Sequence, residues 1–380
     1  MKYLLTHGHL IVDGYKEFLD GALSIDGERI EDVFPHANKL ENISPEYKVI
    51  DLKGSLVMPG NFDTHTHGIM NIGFDTASIE EMDKASLYFA QSGTTSYIPS
   101  LSYDCPTADF DDRFSLLENY EGEYCRFMGY HIEGPFLSNK HLGVALPEKL
   151  KKPDIKLVED ILNKTKLLRQ MTIAYELEGA KEIGRLLHDN NVKVMVGHSD
   201  ALLEDLDENV DGFTHLFNAM RSFHHRDITL VNAAFMNLGY YVELIADGNH
   251  IKENVLKLIL NNIDLDKIML VSDSSTARGL EDGEHIFLSK PCTKTGTIFK
   301  THDGHFAGSV VSINDEMKVL QRLGVSYTDL LKISSLNAFR FYGLDKQYGT
   351  LTKGKHADIV IMDEDLNIKN VYVKGRFVYA

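Results

Sequence analysis

The feature that most constrains this chain is an alternation, through its middle, of short apolar runs with stretches of helical periodicity. Runs rich in β-branched, aromatic and other apolar residues occur at SLVMPGNFD (55–63), TTSYIPSL (94–101), RFMGYHIEG (126–134) and MTIAYEL (171–177). Four more follow at VKVMVGHS (192–199), GFTHLFN (212–218), YYVELIADG (240–248) and KIMLVSDS (267–274). Between most of them lie segments such as 154–169, 179–190 and 252–262, where apolar residues recur at three and four. Eight strands with intervening helices predict a parallel sheet closed as a TIM-like (β/α)8 barrel, with a doubly wound open sheet as the rival. The barrel is expected over 55–345, its outer layer completed by a helical stretch at 314–342.

The ends follow another pattern. Residues 1–54 and 346–380 hold short strand-like pieces broken by Gly, Asp and Asn turns, without helical periodicity. A single small β-sandwich domain assembled from both termini, with the barrel inserted between them, accounts for both.

Composition excludes several classes. Fifty-six acidic against 39 basic residues leave a net charge of -17, so neither a nucleic-acid backbone nor an anionic membrane is expected as the main partner. No run approaches the roughly 18 apolar residues of a membrane span, and the start does not read as a signal peptide. Cys105, Cys125 and Cys292 are three in number and lack CxxC spacing, which argues against a disulfide framework or a thiolate metal site. A cytoplasmic soluble protein is expected.

Polar residues at the carboxyl ends of buried strands are where a barrel keeps its chemistry. The first run ends in Asp63-Thr-His65-Thr-His67, and two His at i and i+2 on a strand share a face, so both imidazoles can reach one ion. The third ends in His131-Ile-Glu133, the fifth in Gly197-His198-Ser199, the sixth in Thr214-His215-Leu-Phe-Asn218. The seventh runs into Asp247-Gly-Asn-His250 and the eighth into Ser272-Asp273-Ser274. Imidazole and carboxylate donors without thiolate suit a divalent zinc, iron or manganese. His7-Gly8-His9 repeats the HxH spacing but precedes an apolar run, and is read as solvated surface. Glu133, His198, His215 or Asp273 taken singly could each be a satisfied structural group. Six such residues on five strand ends are hard to explain without a metal: His65, His67, Glu133, His198, His215 and Asp273.

The order HxH, HIEGPF, GHS, THLFNAM, ADGNH and SDS, with HFAGS at 305–309 and GTLTKGKHADI at 349–359, resembles the N-acetylglucosamine-6-phosphate deacetylase family of the amidohydrolase superfamily. The resemblance implies one metal on Glu133, His198 and His215, and a second on His65 and His67 with Glu133 able to bridge; one or two ions per subunit are expected. It implies a metal-activated water as nucleophile and Asp273 as the base that takes its proton and returns it to the departing amine. It implies substrate contacts from His250, from Asn218 and Ala219, from Phe306, Ala307 and Gly308, and from an Arg226 that reaches a phosphate across a homodimer. In that family the 143–147 loop carries a histidine where this chain has Ala145 beside Val144, and His141 is its nearest imidazole. The substrate implied is N-acetylglucosamine 6-phosphate, with N-acetylgalactosamine 6-phosphate or a related N-acyl sugar phosphate as the alternative. Arg278, after an extended Ser-Ser-Thr-Ala run, is expected at the cleft mouth or on the surface. A cyclic-amide hydrolase is disfavoured because the fourth run offers Glu176 where such enzymes carry a lysine, and a silent sugar-phosphate sensor because it needs no Asp273.

Overall fold

The computed structural model describes residues 2–40, 43–102 and 110–379. Eight parallel strands form the central element: Asn61–Thr66, Thr94–Ser102, Tyr130–Glu133, Leu168–Ile173, Lys193–Val196, Gly212–Phe213, Tyr241–Leu244 and Ile268–Leu270. Each pairs in parallel with the next in chain order. The ring closes between the segments that follow the eighth strand and the end of the first. There Asp273 N donates to His65 O at 2.9 Å, and His67 N donates to Ser274 O at 2.8 Å. This is the expected barrel, and closure removes the open-sheet rival.

The helices lie where periodicity places them, at Ile155–Lys164, Ala180–Asp189 and Glu253–Asn262. Asp154 caps the first of these, accepting from Leu157 N at 3.3 Å. The stretch at 314–342 is not one helix. Helix Ile313–Arg322 ends at Leu323-Gly324, with Gly324 at φ 93, and a second helix restarts at Tyr327 under a Ser326 cap. A π turn over Lys332–Leu336 then leads into Asn337–Phe341.

The run at 55–63 also divides. Leu56–Pro59 pairs antiparallel with Ile359–Met362 and in parallel with His9–Leu10, so it belongs to the terminal sheet; the barrel starts only at Asn61. Gly60 is the joint, because a Cβ there would lie 2.1 Å from the Thr95 hydroxyl. Both termini contribute to one eight-stranded sheet, with strands up to Tyr47–Asp51 from one end and Ile368–Val373 and Arg376–Tyr379 from the other. It is a mixed sheet, since Lys2–Ile11 pairs in parallel with both Tyr47–Asp51 and Leu56–Pro59. Leu5, Ile25, Val57 and Ile359 share its core.

A three-stranded antiparallel sheet, Gly283–Phe287, Lys290–Thr295 and Ile298–Thr301, follows the eighth strand and has no counterpart in the sequence expectations. Its polar, weakly patterned strands (GEHIF, KPCTKT, IFKT) give little signal. Among the described residues, no helix is long and apolar enough to cross a membrane. Cys125 and Cys292 are buried free thiols; Cys105 lies outside the described residues.

Candidate metal centre

The six donors converge at the carboxyl ends of the barrel strands. Two triads form, His65–His67–Asp273 and Glu133–His198–His215, and Glu133 touches both. Its Oε1 lies 3.2 Å from the Nε2 atoms of His198 and His215 and 3.5 Å from that of His65, while Oε2 lies 3.1 Å from His67 Nε2. Asp273 Oδ1 sits 3.4 Å from His67 Nε2 and 3.6 Å from His65 Nε2. Two imidazole pairs bring Nε2 atoms together, His65 with His67 at 3.3 Å and His198 with His215 at 3.2 Å. Ligand atoms held about 2.05 Å from one tetrahedral ion would lie roughly 3.3 Å apart, so the spacing is that of a coordination shell.

The tautomers agree with this. His65 Nδ1 faces Glu243 Oε2 at 3.0 Å and His198 Nδ1 faces the His141 carbonyl at 2.9 Å. Both partners only accept, so each Nδ1 carries the proton and each Nε2 turns a lone pair toward its neighbours. His67 Nδ1 contacts Ser102 Oγ at 3.0 Å. Glu243 is itself held by Gln170 Nε2 at 2.8 Å. Such outer partners orient ligands and raise their basicity. Clustered lone pairs call for a cation. Burial alone would depress the His67 imidazole, but Asp273 and Glu133 push it up to about 10. Burial would raise the Glu133 carboxyl, and the surrounding imidazoles hold it well below its ordinary value. The donor set therefore fits one or two divalent ions, which would take the place of those protons.

Backbone strain concentrates here. His198, His215 and Asp273 adopt φ values of 47, 29 and 44, a left-handed region costly for residues with a Cβ. The hydrogen bonds that close the barrel hold Asp273 in place. Its carbonyl also accepts from Ser309 N at 2.7 Å, and a Cβ on Gly308 would lie 2.6 Å from that oxygen.

A cleft of about 580 Å³ opens above the donors, a volume suited to a small molecule. His141, Val144, Ala145, Asn218, Ala219, His250, Phe306 and Gly308 line it. His250 Nδ1 faces Asp247 Oδ2 at 2.9 Å, and the ring lies 4.1 Å from that of Phe306. Ala307 does not line the cleft; it is fully buried with Phe287 and Phe299. His141 Nε2 binds Asp200 at 3.0 Å. Arg226 is exposed and does not line its own chain's cleft. Arg278 is neither at the mouth nor on the surface. It is 6% exposed, packs 5.2 Å over the Phe89 ring and donates to Ser92 Oγ at 2.5 Å, and its backbone is held by Met70 N, which donates to Arg278 O at 2.8 Å. His131, between two donor positions in sequence, is no ligand; Ser100 Oγ and Thr172 Oγ1, each at 2.8 Å, occupy its two nitrogens. Glu176 holds Ser199 and the Asp200 amide. His7 pairs with Asp20 at the surface, and the half-buried His9 pairs with Glu17.

Sequence reasoning missed Glu243, Ser102 and the Phe287–Lys290 hairpin tip. Glu243 had a readable signal, since a carboxylate inside a buried apolar strand requires a partner.

A closed parallel barrel with imidazole and carboxylate donors gathered at its carboxyl rim defines a metal-dependent hydrolase architecture. The model of the amidohydrolase family matches residues 56–378, and the chain belongs to that family, as a hydrolase acting on an amide. It is 29% identical to an N-acetylglucosamine-6-phosphate deacetylase of Bacillus subtilis (strain 168), covering 99% of this chain and 95% of that one. It is 27% identical to an N-acetylgalactosamine-6-phosphate deacetylase of Escherichia coli O157:H7, covering 86% and 89%. Among solved structures it superposes with a TM-score of 0.90 on a point mutant of the N-acetyl-D-glucosamine-6-phosphate deacetylase of Mycobacterium smegmatis, at 25% identity and full coverage of both chains. That structure is of a complex with N-acetyl-D-glucosamine-6-phosphate.

Proposed function

We propose that this chain hydrolyses the acetamide of N-acetylglucosamine 6-phosphate, releasing acetate and glucosamine 6-phosphate. The observation that carries the reading is the double triad at the floor of the cleft, with Asp273 on the edge of both its own triad and the open space. A divalent ion held by these residues (zinc, iron or manganese, one or two per subunit) would polarise the acyl carbonyl and acidify a water. Asp273 then takes the water's proton through its carboxylate and delivers it to the nitrogen as the C–N bond breaks. Burial raises the Asp273 carboxyl, but His67 and His65 hold it below its usual value, so it starts as a base. His250, with Nδ1 committed to Asp247, presents Nε2 to the sugar and is steadied by Phe306. The Phe217–Ala219 turn, left-handed at 78 and 45, offers an edge for phosphate.

Arg226 supports a homodimer in which each subunit's guanidinium reaches the partner's cleft. It lies outside its own site, flanked in the chain by exposed Phe223 and Ile228. A guanidinium fork matches a phosphate dianion. The same reading divides the chain into a terminal β unit (1–59 with 346–380) and a catalytic barrel (61–345), joined at Gly60, and places the enzyme in the cytoplasm with amino-sugar phosphates.

Ala145 favours a second reading, N-acetylgalactosamine 6-phosphate, because it offers no polar side chain to tell hexosamine epimers apart. Acetate release from the two 6-phosphates, with zinc, iron(II) or manganese(II) supplied, decides between them. Release from neither sugar overturns the deacetylase reading.

A further inference from the structure

We propose that Lys290, from the inserted three-stranded sheet, pairs with the phosphate of the bound substrate; this rests on the sugar-phosphate reading above. Two cleft-lining residues carry ammonium groups, Lys140 and Lys290. Asp200, 2.6 Å away, neutralises Lys140. Lys290 has no carboxylate within 4.0 Å among the described residues; its Nζ donates at 3.3 Å to the carbonyl of Ala145. A cation kept beside a cleft whose other charges include Glu133, Asp273 and Asp303, in a chain of net charge -17, calls for an anion from outside.

The backbone that presents it is built for the purpose. Gly283–Phe287 and Lys290–Thr295 pair through Phe287 and Lys290, so Leu288 and Ser289 alone make the turn. Both are left-handed, at φ 46 and 66, where two-residue hairpins ordinarily carry Asn-Gly. A bulky leucine in that region is unusual, and strain of this kind gathers at ligand-facing positions. The turn is anchored rather than loose. Phe287 is buried against Phe299, and its ring lies 6.1 Å from that of His67. The hairpin tip is thus a fixed wall of the site that holds Lys290 at its edge.

Lys290→Met and Lys290→Arg test the assignment, with steady-state kinetics on the 6-phosphate substrate and inorganic phosphate as competitive inhibitor and calorimetric ligand. With Lys290→Met, KM for the substrate and the inhibition constant for phosphate should both rise about tenfold or more, the scale of one charge-assisted hydrogen bond, with kcat nearly kept. Lys290→Arg should restore most of both. A KM that rises while phosphate inhibition stays fixed overturns the proposal, because Lys290 then meets a sugar hydroxyl. So does no change in either. If the wild type releases no acetate, the deacetylase reading fails; the calorimetric phosphate affinity of wild type against Lys290→Met still decides the role of Lys290.

Discussion

Replacing Glu133 by Gln keeps the shape of the side chain and removes the one charge that both triads share. Its two oxygens serve different lobes, Oε1 facing His198 and His215 at 3.2 Å and Oε2 facing His67 at 3.1 Å. An amide must turn its NH2 toward one of them and set a donor against a lone pair. Closed protein metal sites bind with on the order of 10–16 kcal/mol shared among about four ligands, so losing one anionic ligand should weaken each ion by about 3 kcal/mol. That is roughly a hundredfold per ion. Metal content after equilibration with a competing chelator reads this directly. Glu133→Gln should lose metal from both lobes, whereas His215→Ala should lose it from the Glu133–His198 lobe and spare the ion at His65, His67 and Asp273. If Glu133→Gln keeps one ion at wild-type affinity, Glu133 serves one lobe only and the bridging argument is wrong.

Three further perturbations probe other parts of the reasoning. Asp273→Asn should lower kcat by about 10²–10⁴, the usual share of a general acid–base group, with KM within a few-fold when metal is supplied to saturation; near-normal kcat would remove Asp273 from the proton path. Glu243→Gln weakens the partner of His65 Nδ1 and should cost about 10–100-fold in metal affinity or activity, although it touches no substrate. Unchanged chelator resistance would contradict that. Glu316 on the outer helix Ile313–Arg322 is fully buried, and burial first, then Asp247 and Asp63, raise its carboxyl well above the ordinary range. A raised folded pKa means its favourable contribution is complete below about 4.5 and declines, by about 1.4 kcal/mol per pH unit, as pH climbs to the folded value. Glu316→Gln removes that decline. Its unfolding midpoint should therefore gain on the wild type from pH 5 to pH 8, and a constant difference would show that Glu316 ionises freely in the folded state.

The barrel was legible because period-two and period-3.6 patterns are written by burial, and its strands and helices are buried on one or both faces. What escaped was written by something else. The division of 55–63 at Gly60 depends on how closely that residue passes Thr95, a tertiary contact with no local signature. The break at Leu323-Gly324 has a local signal, a glycine followed by a serine cap at 326, but the apolar periodicity on either side runs across it. The inserted sheet exposes Ile286 and Ile298 and buries Phe287, Cys292 and Phe299, so the alternation that marks a strand with one wet face is blurred.

The donor set was legible for a related reason. A buried strand that ends in His or Asp must satisfy those groups, and five ends doing so at one rim leave few satisfiers other than a cation. The substrate side obeys no such rule. Ala307 and Arg278 are small or charged residues whose sequence neighbourhoods look exposed, yet one is buried with Phe287 and Phe299 and the other lies against Phe89. Loop residues can be partnered by water, so their types constrain their positions weakly. Where the loops are constrained, the constraint is conformational. His198, His215, Phe217, Ala219, Asp273 and Leu288 all hold left-handed backbone without being glycine. No propensity scale assigns that conformation to such residues, so the strained positions become visible only once the barrel and its donors hold them in place.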